Sequence, residues 1–205
     1  MQAESIHIIP YPAATTMAFP VVPVDTSLLD RCATGDVFAF RELYEQWKRP
    51  LYTLAYRFHG NHEDAEDTMQ EAFVNMYRGL GSFRRDAKFS SWMYRVLMNA
   101  CISSTRPKRS SERSMDFQDE ATHPSGQASA GDVLMLDILE AEIAALPDMQ
   151  KAVFLLHADE GMTHGEIAEV LRISTGTSKS SYHRARTRLK ERLAQRGIQD
   201  LEVKS

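Results

Sequence analysis

Cysteine is nearly missing from this chain: 205 residues carry two, Cys32 and Cys101, far apart and in no C-x-x-C pairing. That excludes a disulfide scaffold and a cysteine-rich zinc module, and it fits a reducing cytoplasm. No apolar run approaches the roughly 20 residues needed to cross a bilayer, which excludes a transmembrane helix. The first thirty residues show no basic start, apolar core or small-residue cleavage site, which argues against secretion. Proline is scarce where it matters, since only Pro50 falls between Leu28 and Ser104. Alternation of polar and apolar residues is never sustained, so strands have no signature here. No internal repeat is visible.

What is present is ordinary globular composition, 43% hydrophobic and 25% charged, which argues against wholesale disorder. The length allows one medium domain or two small ones. A net charge of −4 speaks against a polyanionic partner until its distribution is read. Sixteen of the 24 basic residues lie in two windows, 84–113 and 172–196, which hold only Asp86, Glu112 and Glu191 as acids. The acids gather instead at 63–71 and 116–169. Two basic patches separated by acidic territory suit two contacts with a polyanion, because phosphate affinity follows local charge.

Residues 1–26 contain Pro10, Pro12, Pro20 and Pro23 and no usable period, as expected of a disordered leader. Met17 is an alternative start within it. A first helical body is expected over 27–105. Residues 106–131, with Pro107, Pro124, Gly126 and Gly131, read as a flexible linker. A second helical body is expected over 132–196, followed by a tail at 197–205. The chain is therefore expected to be all-α, two small helical domains on a flexible linker.

In the first body, Ala65, Met69, Ala72, Phe73, Met76 and Leu80 recur at helical spacing. The opposite face carries Glu63, Asp67, Gln70, Glu71, Val74 and Arg78. An acidic strip with an apolar centre suits a basic partner helix, although a plain solvated face reads the same way. The next helix has an inward stripe of Phe89, Trp92, Met93, Val96, Leu97 and Ala100. Its other side shows Ser91, Tyr94, Arg95, Met98, Asn99 and Ile102, groups able to stack on unpaired bases and read their edges. A basic loop, 81–88, precedes it.

In the second body, Val133, Leu136, Leu139, Ile143 and Leu146 mark one helix, halted at Pro147. The next carries Val153, Phe154 and Leu156 inward and stops at Gly161. Thr163-His164-Gly165-Glu166 is a capping box that opens a short helix. A break at Ser174–Thr177 precedes a basic helix from about Thr177 to Leu193, with Tyr182, Ala185, Leu189 and Leu193 inside. A capped short helix, a tight turn and a basic helix make a helix-turn-helix, whose second helix enters the major groove.

Three ordered segments resemble signatures of bacterial RNA polymerase sigma factors of the extracytoplasmic-function (ECF) group. Asp64 through Phe73 resembles that family's polymerase-binding signature. Ser82-Phe83-Arg84 and Phe89 through Asn99 resemble its promoter-melting region. Leu146-Pro147 and Thr163 through Arg186 resemble its helix-turn-helix domain. The chain departs from the family pattern at Ser178, where an apolar residue is usual and looser packing of the helix start is expected. It also departs at Ser181 and Ser103.

The resemblance implies a protein that binds core RNA polymerase and promoter DNA and is not itself an enzyme. It also implies an anti-sigma protein as a partner. It places polymerase contact, through the clamp helices of the largest subunit, on Asp67, Gln70, Glu71 and Val74. With helical position it places upstream-element contact on Thr177, Lys179, Ser180, His183 and Arg184, and phosphate contact on Arg186 and Arg188. Phe83, Arg84, Lys88, Arg95 and Asn99 are assigned to the downstream element and melting, while Trp92 and Phe89 are expected to pack the loop. No cofactor and no metal are implied. Two rivals remain open on the residues alone. One is a conventional regulator that uses the same helix-turn-helix; the other is a metal enzyme built on His59, His62, Glu63 and Asp64, against which Gly60-Asn61 reads as a turn.

Overall fold

In the computed structural model, residues 25–83, 88–105 and 130–198 are described. Eight α-helices account for nearly all of them: α1 (Thr26–Ala33), α2 (Val37–His59), α3 (His62–Gly79), α4 (Phe89–Ser104), α5 (Ala130–Ala144), α6 (Asp148–Ala158), α7 (His164–Leu171) and α8 (Thr175–Gln195). A single 3-10 turn, Leu80–Ser82, follows α3. The leader through 24, residues 84–87 and 106–129, and the tail from 199 lie outside the described residues.

Short polar side chains start these helices. Asp36 accepts from the backbone N–H groups of Phe38 and Ala39 to open α2, and Asn61 accepts from that of Asp64 to open α3. Both satisfy donors that a helix start leaves unpaired. Between α2 and α3, Gly60 adopts φ 77°, the left-handed region, so the turn read from Gly60-Asn61 is present. Pro50 sits inside α2 without ending it. Leu43, Trp47, Leu51, Leu54, Ala55 and Phe58 are buried on both sides of that proline, and their packing outweighs the local cost of about 3 kcal/mol.

The apolar stripe of α3 is buried as expected, and so are Phe89, Met93, Leu97 and Ala100 of α4. Trp92 and Val96 are half-buried. The two helical bodies then share one continuous core, because α5 and α6 pack on α2, and α6 and α7 pack on α4. That overturns one expectation: Ser91, Tyr94 and Met98, read as an outward face of α4, are buried. Helices α6 and α7 pack on α4 beside α2, whose Trp47 ring meets Tyr94 at 6.4 Å between centroids. Cys32 and Cys101 are both buried, and burial raises both thiols above their ordinary range.

At α7 the capping box is complete: the Thr163 hydroxyl accepts from the Glu166 N–H, and the Glu166 carboxylate accepts from the Thr163 N–H. Thr163→Ala is expected to cost about 1 kcal/mol of stability. A lower urea midpoint at unchanged slope would register it; an unchanged midpoint would count against the cap.

Candidate nucleic-acid interface

The helix-turn-helix consists of α7 and α8. Between them Arg172 takes φ 54°, a left-handed position that turns the chain, and the Ser174 hydroxyl accepts from the Thr177 N–H to open α8. Capping by Ser174 explains why α8 begins at Thr175, two residues earlier than its apolar spacing suggests. Ser178, Ser181, Tyr182, Ala185, Leu189 and Leu193 form the buried face.

Ser178 corrects the expectation of a loosely packed helix start. It is fully buried, and its hydroxyl lies 2.9 Å from His164 Nδ1. The His164 ring stacks on His157 at 4.5 Å between centroids, and the edge of Tyr182 closes on His157 at 4.4 Å. His157 Nδ1 lies 2.7 Å from the Met162 carbonyl oxygen and donates to it. A satisfied hydroxyl–imidazole pair thus stands where an apolar contact was expected. Burial, with His157 and Lys179 nearby, holds the His164 pKa below its ordinary value, which favours the neutral ring.

The opposite side of α8 exposes Thr177, Lys179, His183, Arg184 and Arg188 together, while Ser180 and Arg186 are half-buried. The Arg186 guanidinium lies over the Tyr182 ring, 5.9 Å from its centroid. Five of these side chains are therefore free to enter a groove, and two stand at its margin. Positive charge on a rigid, capped helix has the form that duplex DNA accepts in its major groove.

The second candidate surface lies where the 3-10 turn meets α4. Phe83 packs against Phe89 and Trp92 at 5.3 and 5.5 Å between centroids, so both rings hold the loop as expected. Trp92 also lies flush on Gly79, where an added Cβ would come within 3.1 Å of the ring. Lys88 and Asn99 are exposed. Arg95 is half-buried, and its Nε is enclosed without a hydrogen-bond partner. Arg84 lies outside the described residues. Lys88 Nζ donates to Glu166 Oε1 at 2.8 Å, across to α7. That bond, with those from Thr163, lowers the Glu166 carboxyl to about 2.

On α3, Asp67, Gln70, Glu71 and Val74 are all exposed on one face. Sequence reasoning missed the aromatic flank of this strip. Tyr77 and Tyr44 are exposed beside Val74, Phe40 lies 5.0 Å from Tyr77, and Tyr44 lies 4.6 Å from Phe73. The i, i+4 pairs Phe40–Tyr44 and Phe73–Tyr77 were the available signal.

The residues of the rival metal reading are otherwise engaged. His59 Nε2 lies 2.9 Å from the Thr68 hydroxyl, and His62 Nδ1 lies 2.5 Å from that of Tyr52. Among the described residues, no three His, Cys, Asp or Glu side chains are grouped to hold a metal ion. No described helix is long and apolar enough to cross a membrane.

Two family models match the chain, sigma-70 region 2 over residues 43–111 and sigma-70 region 4 over residues 136–189. The chain is 32% identical over 171 residues to the ECF RNA polymerase sigma factor SigW of Bacillus subtilis, covering 78% of this chain and 91% of that protein. It is 33% identical over 165 residues to SigM of Mycobacterium tuberculosis, covering 80% and 82%. Among solved structures, CnrH in complex with the cytosolic domain of CnrY shares the fold. The TM-score is 0.61 at 24% identity, over 83% of this chain and 97% of that one. The sigma factor RpoE of Bartonella quintana, in complex with the anti-sigma factor NepR, gives a TM-score of 0.59 at 21% identity, over 77% and 98%.

Proposed function

The chain belongs to the RNA polymerase sigma factors of the ECF group, and from that membership we propose how its surfaces divide the labour of starting transcription. As a sigma factor it binds core RNA polymerase, recognises promoter elements and helps to melt DNA. The exposed α3 strip, Asp67, Gln70, Glu71 and Val74, meets the clamp helices of the polymerase largest subunit. Helix α8 reads the upstream element through Thr177, Lys179, Ser180, His183 and Arg184, with Arg186 and Arg188 on phosphates. Phe83, Lys88 and Asn99, helped by Arg84 and Arg95, capture a flipped base of the downstream element. Asn99 can both donate to and accept from a base edge. The protein acts as a specificity subunit in the cytoplasm, not as an enzyme, and an anti-sigma protein is its natural restraint.

The observation that carries the DNA assignment is the joint exposure of Thr177, Lys179, His183 and Arg184 on one face of a helix whose other face is buried. Transcription from promoter fragments by core polymerase, with and without the chain, tests the function; equal transcripts in both would overturn it. The assignment within α8 is tested separately. Lys179→Ala and Arg184→Ala are each expected to cost about 1–3 kcal/mol at one base position, whereas Arg188→Ala should weaken all sequences alike. Unchanged upstream preference and affinity in the first two variants would overturn the base contacts. A conventional regulator would instead bind its site tightly without polymerase.

A further inference from the structure

The start of α8 is held by two serine hydroxyls on different sides of the helix. At the solvent side the Ser174 hydroxyl accepts from the Thr177 N–H and lies 2.8 Å from the Thr177 hydroxyl. Ser178, one position further on, is fully buried and stands 2.9 Å from Nδ1 of His164, the first residue of α7. His164 is fixed in turn. Its ring stacks on His157 of α6 at 4.5 Å between centroids, and His157 Nδ1 donates to the Met162 carbonyl oxygen. Tyr182, one turn along α8 from Ser178, closes edge-on against both imidazoles at 4.4 and 5.7 Å. A chain of polar and aromatic groups thus runs from α6 through α7 into the first turn of α8.

Thr177 and Lys179, on either side of Ser178 in sequence, are exposed on the reading face. Each lies about 100° of helical arc from Ser178, so the seat of Ser178 sets the angle at which they leave the helix. An apolar contact at 178 would hold the helix by buried area alone, which is non-directional and tolerates small rolls and slides. A hydroxyl–imidazole bond is restricted in distance and angle, as are the hydrogen bonds that read base edges. A buried hydroxyl without its partner also carries a desolvation penalty, so few seats of this turn are satisfied. Arg184, more than a turn further along, lies beside Ala185, which is buried with Leu189 in the apolar part of the same face.

We propose that His164 is a positioning residue for promoter reading: through its bond to Ser178 it sets the seat of the first turn of α8, and with it the base preference contributed by Thr177 and Lys179. The inference rests on the sigma-factor reading and deepens it by naming what aims these side chains. Half-buried and stacked on His157, His164 acts on the DNA through Ser178. Burial, and then the neighbouring His157 and Lys179, favours its neutral ring. A neutral imidazole keeps one nitrogen as an acceptor and one as a donor, so it can serve the Ser178 hydroxyl in either sense.

The test uses holoenzyme, core polymerase with the full chain, on a duplex promoter fragment that it transcribes. Beside it stand fragments with single-base changes through the upstream element and one with that element scrambled. His164→Ala and Ser178→Ala are each expected to reduce the preference for the intact over the scrambled element by about threefold or more. The loss should fall on the base positions that Lys179→Ala relaxes and spare those that Arg184→Ala relaxes. The double variant should be no worse than either single one, since all three break the same bond. His164→Asn, whose amide atoms stand at the same remove from the backbone as Nδ1, should restore the preference to within about twofold of wild type. Ser178→Ala only deletes an oxygen from a helix that alanine favours, so the test stands even where His164→Ala melts early. Unchanged preference in both alanine variants overturns the proposal, as do losses that simply add in the double variant. An equal loss at every position, including those read through Arg184, also overturns it, because that marks a loosened domain rather than a misaimed turn. Core polymerase that gives the same transcripts with and without the wild-type chain would instead bring down the sigma-factor reading, and the positioning role with it.

Discussion

Charge reversal at Asp67 and Glu71 is expected to weaken core-polymerase binding by at least tenfold and to leave the thermal melt of the chain unchanged. Both carboxylates are exposed on α3, and with Gln70 and Val74 they occupy about 100° of helical arc. The opposite arc, Ala65, Met69, Ala72 and Met76, is in the core. Lysine at an exposed position typically changes stability by no more than about 0.5 kcal/mol. At an electrostatically complementary interface, however, like charges set against each other cost several kcal/mol, and about 1.4 kcal/mol is already tenfold in affinity. Val74 and the neighbouring Tyr44 and Tyr77 supply the apolar centre that such a contact needs. Binding of Asp67→Lys and Glu71→Lys to core polymerase, measured beside their melts, decides the matter. Wild-type affinity in both variants would refute the assignment, and so would a melt showing that they had merely unfolded.

A larger effect, on folding itself, is expected from Phe58→Ala. Phe58 has no solvent exposure, and the Lys151 ammonium of α6 lies over its ring at 4.6 Å from the centroid. Its edge meets His59, and its own carbonyl accepts the hydrogen bond from Lys151. Truncation leaves that backbone bond in place but opens a ring-sized cavity where the two bodies meet. A buried Phe→Ala change costs about 3–5 kcal/mol, against a total stability of roughly 5–15 kcal/mol for an ordinary domain. For a chain of this size that lowers Tm by roughly 6–20 °C. A loss below about 1 kcal/mol in denaturant melts would mean that the ring is not part of a tight core.

Much of the architecture is legible in the residues because each helix announces itself locally. Apolar residues at helical spacing mark α3, and a threonine three residues before a glutamate marks the start of α7. The exposed faces of α3 and α8 follow from the same periodicity, and five of the seven candidate upstream-element residues fall on that of α8. Helix α4 escaped such a reading because helices of both bodies bury it, α2 and α3 from its own and α6 and α7 from the other. One stripe, Phe89, Met93 and Leu97, is apolar; a second, Ser91, Tyr94 and Met98, is more polar, and Tyr94 lies between Trp47 of α2 and Glu160 beyond the end of α6. Periodicity reveals one buried face easily, but a second, more polar one resembles a surface. The partner of Tyr94, Glu160, is 66 residues away, beyond any local pattern. Ser178 was misjudged for a similar reason, since the imidazole that satisfies it sits on the preceding helix.

The two buried thiols have a chemical consequence. Alkylation, oxidation and disulfide exchange all proceed through the thiolate, whose share at a given pH falls as the thiol pKa rises. Burial raises both Cys32 and Cys101, and it also walls their sulfurs off from reagents. The folded chain is therefore close to silent toward thiol chemistry. A cysteine placed on its surface reacts as though it were the only one.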